Sequence, residues 1–120
     1  MKYDIGHLID MLSILYRKKT ILGDNSFDEQ YKEIKKSLNK ENCNSDLIEQ
    51  IVILANSNAD IWHLEADIRK GNTAEMGLEE VGRRALQIRD KNKLRIGATN
   101  QINKITKSGY QDKKVEHCSS

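Results

Sequence analysis

Apolar residues recur along this chain at helical spacing, in four blocks separated by polar breaks. Ile5, Leu8, Leu12 and Leu15 step by three and four, with Ile9 and Tyr16 beside them. That is the stripe of an amphipathic helix, predicted over about 4–22 and ended by Gly23-Asp24-Asn25. Phe27, Tyr31, Ile34 and Leu38 mark a shorter helix over about 27–39, opened by Ser26-Phe27-Asp28-Glu29, which has the form of a capping box. After a polar loop, Asn44 or Ser45 caps a third helix over about 46–70. In it Leu47, Ile51, Leu54, Asn58, Ile61, Glu65 and Ile68 make an unbroken heptad seam with two polar members. Ile48, Val52, Ala55, Ala59, Trp62 and Ala66 run beside it as a wholly apolar stripe. Gly71-Asn72-Thr73 breaks the pattern, and Leu78, Val81, Ala85, Ile88, Asn92, Arg95, Thr99 and Ile102 trace a fourth helix over about 78–107. Ser108-Gly109 stops it, and residues 110–120 read as a polar tail.

These elements predict an all-α fold: an antiparallel helical bundle in one domain, 1–120, with the bundle over 1–109. Helices three and four form a long coiled-coil-like hairpin, because the short break makes them antiparallel neighbours. A turn near residue 74 sets Ile61 opposite Ile88, Asn58 opposite Lys91 or Asn92, Leu54 opposite Arg95, and Glu65 near Arg84. A helix of roughly 30 residues spans about 45 Å. That length in so short a chain predicts a homo-oligomer.

Composition narrows the class. There is no proline, which leaves long helices unbroken, and no apolar run long enough to cross a membrane. Asp4, His7 and Asp10 interrupt the apolar residues near the start, so no signal peptide is expected there. Cys43 and Cys118 lack a partner motif and read as free thiols of a cytoplasmic protein. Net charge is only +2, but residues 78–120 hold ten Lys/Arg against five Asp/Glu. This basic half suits a phosphate-bearing partner or a solvated helix face. The interspersed acids and the absence of interleaved aromatics argue against nucleic acid.

The chemistry sits along the predicted hairpin. The expected register gathers Asn58, Glu65, Arg69, Arg84, Asn92 and Arg95 beside Trp62, the only tryptophan. Two readings follow. Buried polar residues in a heptad fix register at some cost in stability, with Glu65 neutralising Arg69 or Arg84. Alternatively, three guanidinium groups exceed what one carboxylate needs, and the surplus holds an anion. Arginine forks suit phosphate, the asparagine amides suit base or sugar edges, and Trp62 offers a stacking face. Asp4-x-x-His7, Asp60-x-x-His63 and His117-Cys118 are weaker signals, because the additional ligands a metal or nucleophile site needs are missing. No catalytic, cofactor or metal fingerprint is present.

Gly6-His7-Leu8-Ile9-Asp10-Met11-Leu12-Ser13-Ile14-Leu15, Asn58-Ala59-Asp60-Ile61-Trp62-His63-Leu64-Glu65-Ala66-Asp67-Ile68-Arg69 and Arg89-Asp90-Lys91-Asn92-Lys93-Leu94-Arg95 resemble segments of an uncharacterised family of small helical bacterial and phage proteins. The likeness covers about a third of the chain, with Met11 where a basic residue is common. It implies only that Asn58, Trp62, Glu65 and Arg69 belong together. The sequence therefore leads to a non-catalytic binding protein for a small anionic, nucleotide-like ligand, of the kind that sequesters an immune signal for a phage. The alternative is a scaffold or interaction oligomer whose polar seam only sets helix register.

Overall fold

A computed structural model describes residues 4–71 and 73–108, all side chains but that of Thr73 included. The break residue Asn72, the stop at Gly109, the tail 110–120 and the His117-Cys118 pair lie outside the described residues. The protein is all-α, and no strand occurs among the described residues: α1 is Ile5–Leu22, α2 Asp28–Lys40, α3 Ser45–Arg69, α4 Thr73–Met76 and α5 Leu78–Thr106. The chain divides into two compact units between Val52 and Ile53, within α3.

The first unit is a small three-helix assembly. Asp4 caps α1 by accepting from the His7 amide at 3.0 Å, and Gly23 ends the helix at φ 66°, a left-handed conformation that suits glycine. The predicted stripes pack as expected. Leu8, Leu12 and Leu15 from α1, Ile34 and Leu38 from α2 and Val52 from α3 form the core, with Ile9, Met11, Tyr16, Phe27, Tyr31, Cys43 and Ile48 against it. Ile5, predicted in the stripe, stays partly exposed near the start of α1. The capping box does not form. Ser26 gives both its amide and its hydroxyl to Asp24 Oδ1, at 2.9 and 2.6 Å, so α2 starts without a side-chain cap. Asp24 closes a local turn through the shorter loop and outcompetes the helix end for that hydroxyl. At the next boundary Asn44 does cap α3, accepting from the amides of Asp46 and Leu47 at 3.0 and 3.1 Å.

A polar latch joins α2 to the first turns of α3. Tyr31 donates to Glu49 Oε2 at 2.7 Å, and Lys35 reaches Glu49 Oε1 at 2.9 Å and Asp46 at 3.0 Å. Burial, then the bond to Glu49, pushes the Tyr31 phenol far above its ordinary value. Burial alone would lower Lys35, but the two carboxylates outweigh it and hold the ammonium charged.

The second unit is the helical hairpin, made by α3 from Ile53 onward, the single turn α4 and the 29-residue α5. Gly77, at φ 83°, separates α4 from α5, so the fourth predicted helix begins at Leu78 after a detached turn. Lys91 pairs with Asp60 at 3.1 Å and Arg84 with Asp67 at 3.5 Å. Seven residues forward on α5 match seven residues back on α3, the signature of an antiparallel heptad register. The expected pairing thus holds to within two residues, but both faces are rotated. The seam on α3 passes through Ser57, Asp60, Leu64 and Asp67. Asn58 is exposed and Trp62 is 61% exposed. On α5 the seam passes through Arg84, Ile88, Lys91, Arg95 and Ala98, while Leu78, Ala85 and Thr99 are exposed. At this rotation unlike charges meet across the helices, and aliphatic residues are left on the hairpin's flank.

Candidate functional site

The predicted site residues fall into three groups. The first surrounds Arg84, whose side chain is 21% exposed. Its Nε donates to Glu80 at 2.7 Å, its Nη1 to the Leu64 carbonyl at 3.2 Å, and its Nη2 lies 3.5 Å from Asp67. Glu80 also receives two hydrogen bonds from Arg83, at 2.9 and 2.6 Å. The bonds from Arg83 and then Arg84 hold the Glu80 carboxyl well below the usual range, at about 2, against the opposing effect of burial. Arg84 is thus neutralised within its own chain. Glu65, expected near Arg84, is not its partner.

The second group is Trp62, Glu65 and Arg69. Two residues beyond Asp60 on α3, Trp62 is turned about 200° from the seam, so it faces away from α5. The Arg69 guanidinium stacks 3.5 Å from the centre of the Trp62 ring, and its Nη1 lies 3.6 Å from Glu65. The sequence motif does bring these three together, as an exposed cation–π pair with a carboxylate beside it. One ring face is already covered by the chain's own arginine. Asn58, four residues before Trp62, shares this side of the helix but is exposed.

The third group is Asn92 and Arg95. Arg95 Nε donates to Asn92 Oδ1 at 3.2 Å, and both are half-buried on α5. Among the described residues no carboxylate pairs with Arg95, so of the three predicted arginines it alone carries uncompensated charge. Trp62 lies on the far side of α3 from Arg84 and Arg95, so the single groove expected from the sequence is not assembled within this unit.

Four residues outside the predicted site supply the charges that pair along the hairpin: Asp60, Asp67, Glu80 and Lys91. Their signal was present. Asp60 and Asp67 stand seven apart, as do Arg84 and Lys91, so one antiparallel alignment matches both pairs at once. Among the described residues no group of three His, Cys, Asp or Glu gathers as a metal site, and no helix is long and apolar enough to cross a membrane. No known protein family, curated protein or solved structure matches the chain.

Proposed function

We propose that this protein is a non-catalytic interaction module, in which the polar seam sets the register of a helical hairpin and the hairpin's outer surface takes a protein partner. The observation that carries this reading is the pair of heptad-spaced ion pairs, Asp60–Lys91 and Asp67–Arg84. Charged pairs partly withdrawn from water add little net stability over apolar packing, and their best-attested use is to forbid wrong alignments. A variant carrying both Asp60→Leu and Lys91→Leu tests this. It is expected to melt at the same temperature as the parent or higher, yet to populate more than one species by sedimentation and by amide NMR. A single uniform species would overturn the reading.

The second reading, binding of a small anionic, nucleotide-like ligand, is favoured by one observation: among the described residues the half-buried Arg95 has Asn92 as its side-chain partner and no carboxylate. A guanidinium and an amide side by side match a phosphate and a sugar or base edge. A thermal-shift screen with mono-, di- and cyclic dinucleotides tests it. A ligand at 100 times its Kd adds about 2.7 kcal/mol to stability, and this gain should vanish in Arg95→Met. No response across the panel would remove this reading and leave the interaction module.

A further inference from the structure

We infer that the occupant of the hairpin's apolar flank is a second copy of this chain, the two hairpins closing into a four-helix bundle. This rests on the interaction reading above and names the partner and the face. One residue past each seam position, the helix turns by about 100°. On α3 that step leads from Asp60 to Ile61 and from Asp67 to Ile68; on α5 it leads from Lys91 to Asn92 and from Arg95 to Ile96. Because the helices are antiparallel, both steps turn toward the same flank. Leu54, Ile61 and Ile68 from α3 and Val81, Asn92 and Ile96 from α5 therefore lie on one side of the hairpin, with the seam residue Ile88 at its inner edge and Asn58 at its outer edge. All remain at least partly open, with Ile96 49% exposed. The opposite flank carries His63, Lys70, Arg83, Gln87 and Asp90, with Leu94 the large apolar side chain among them. An ionic seam cannot serve as the hydrophobic layer of a helical hairpin, so the apolar flank needs another layer of helices.

Two features fit that layer to a second copy. The first is height. The register fixed by Asp60–Lys91 and Asp67–Arg84 places Asn58 level with Asn92, Ile61 with Ile88, Leu54 with Ile96 and Ile68 with Val81, each to within one turn. A two-fold axis along the hairpin lays α3 of one copy over α5 of the other and brings equal heights together. Each apolar layer then meets itself, and the four Asn amides meet in one layer, where polar groups select register and oligomer number. The second is charge. The same axis sets Glu65, on the outer edge of the α3 stripe, beside Arg89 of the second copy, less than one turn away in height. Among the described residues, Glu65 pairs with Arg69 at 3.6 Å, and Arg89 with its neighbour Asp90 at 3.4 Å. Both are exposed enough to re-pair across an interface.

The symmetry makes a specific test possible. Sedimentation and light scattering of the full chain should give a dimer. Glu65→Arg places two like-charged pairs across the interface, and Arg89→Glu does the same with opposite sign, so each should weaken association roughly tenfold. Mixing the Glu65→Arg chain with the Arg89→Glu chain makes both cross-pairs complementary, and dimer affinity should return. Ile96→Asp, at an exposed position, should leave far-UV helicity unchanged and release monomers. Recovery on mixing, together with dissociation by Ile96→Asp, supports the proposal. A parent chain that is monomeric at about 100 μM, a larger assembly, or a mixture no tighter than its components overturns it. None of these results depends on the seam variant above, so the dimer and the register role of the seam fail separately.

Discussion

Leu12→Ala is expected to destabilise the protein by about 3 kcal/mol, a cost that only the equally buried Leu38 should match in the first unit. Leu12 is 0% exposed at the centre of α1's buried stripe, between Leu8 and Leu15, and it shares the core with Ile34, Leu38 and Val52. The core is small and wholly aliphatic at its centre. Removing an isobutyl group therefore deletes a large share of the buried area and leaves a cavity that three short helical segments cannot collapse around. Urea denaturation followed by far-UV circular dichroism measures the loss. Trp62 belongs to the second unit and is exposed, so its emission is a poor reporter of this core. A cost below about 1 kcal/mol would mean that the core relaxes around the truncation. Ile14→Ala, at an exposed position on the same helix, is the matched control and should change stability little.

The first unit was the more legible of the two, and the reason is physical. Its buried positions are aliphatic and its exposed ones charged, so the period of Leu8, Leu12 and Leu15 or of Ile34 and Leu38 maps directly onto burial. The caps that depend on one side chain and one amide were mixed. Asn44 takes the Asp46 and Leu47 amides while Asn39 takes that of Ser45, so the start of α3 is capped, whereas the Ser26 hydroxyl had Asp24 two residues away. In the second unit apolar periodicity located both helices and nearly the right pairing but misjudged which face is the seam. The heptad Leu54-Asn58-Ile61-Glu65-Ile68 is real, yet it lies on a flank, because Asp60 and Asp67 find Lys91 and Arg84 when the helices turn by about one residue. Ranking positions by hydrophobicity alone cannot detect that preference. It needs the charges of both helices read together in one alignment.

The same displacement separates the predicted site residues. Rotating α3 by one residue moves Trp62 to the side away from α5, where Arg69 stacks on it, and leaves Arg84 to Asp67 and Glu80. Glu65 was expected to decide between a neutral seam and a charged groove. Among the described residues it is instead the partner of Arg69, and the carboxylates that quench Arg84 come from residues with no part in the predicted groove. Only Arg95 keeps the character that the ligand reading required.

Arg84→Met should therefore lower the stability of the hairpin, by about 1–2 kcal/mol, whereas Arg95→Met should leave it unchanged or raise it. Methionine keeps most of the apolar stem, so the difference reports the guanidinium. At Arg84 the substitution strips one cation from Asp67 and Glu80 and one donor from the Leu64 carbonyl; at Arg95 it removes a charge held by one amide oxygen. The pH dependence supplies a second check. Glu80 titrates at about 2 in the folded chain against its ordinary 4.5. Depression of a folded carboxyl adds stability that is complete above the unfolded value and is lost as the pH falls from about 4.5 toward 2. In Arg84→Met only Arg83 still bonds Glu80, so its carboxyl resonance should titrate at higher pH and the acid-induced loss across that window should shrink. Equal melting temperatures for the parent and Arg84→Met, with an unmoved Glu80 midpoint, would mean that Arg84 is spare charge. The anion-binding reading would then regain the arginine that the seam takes from it.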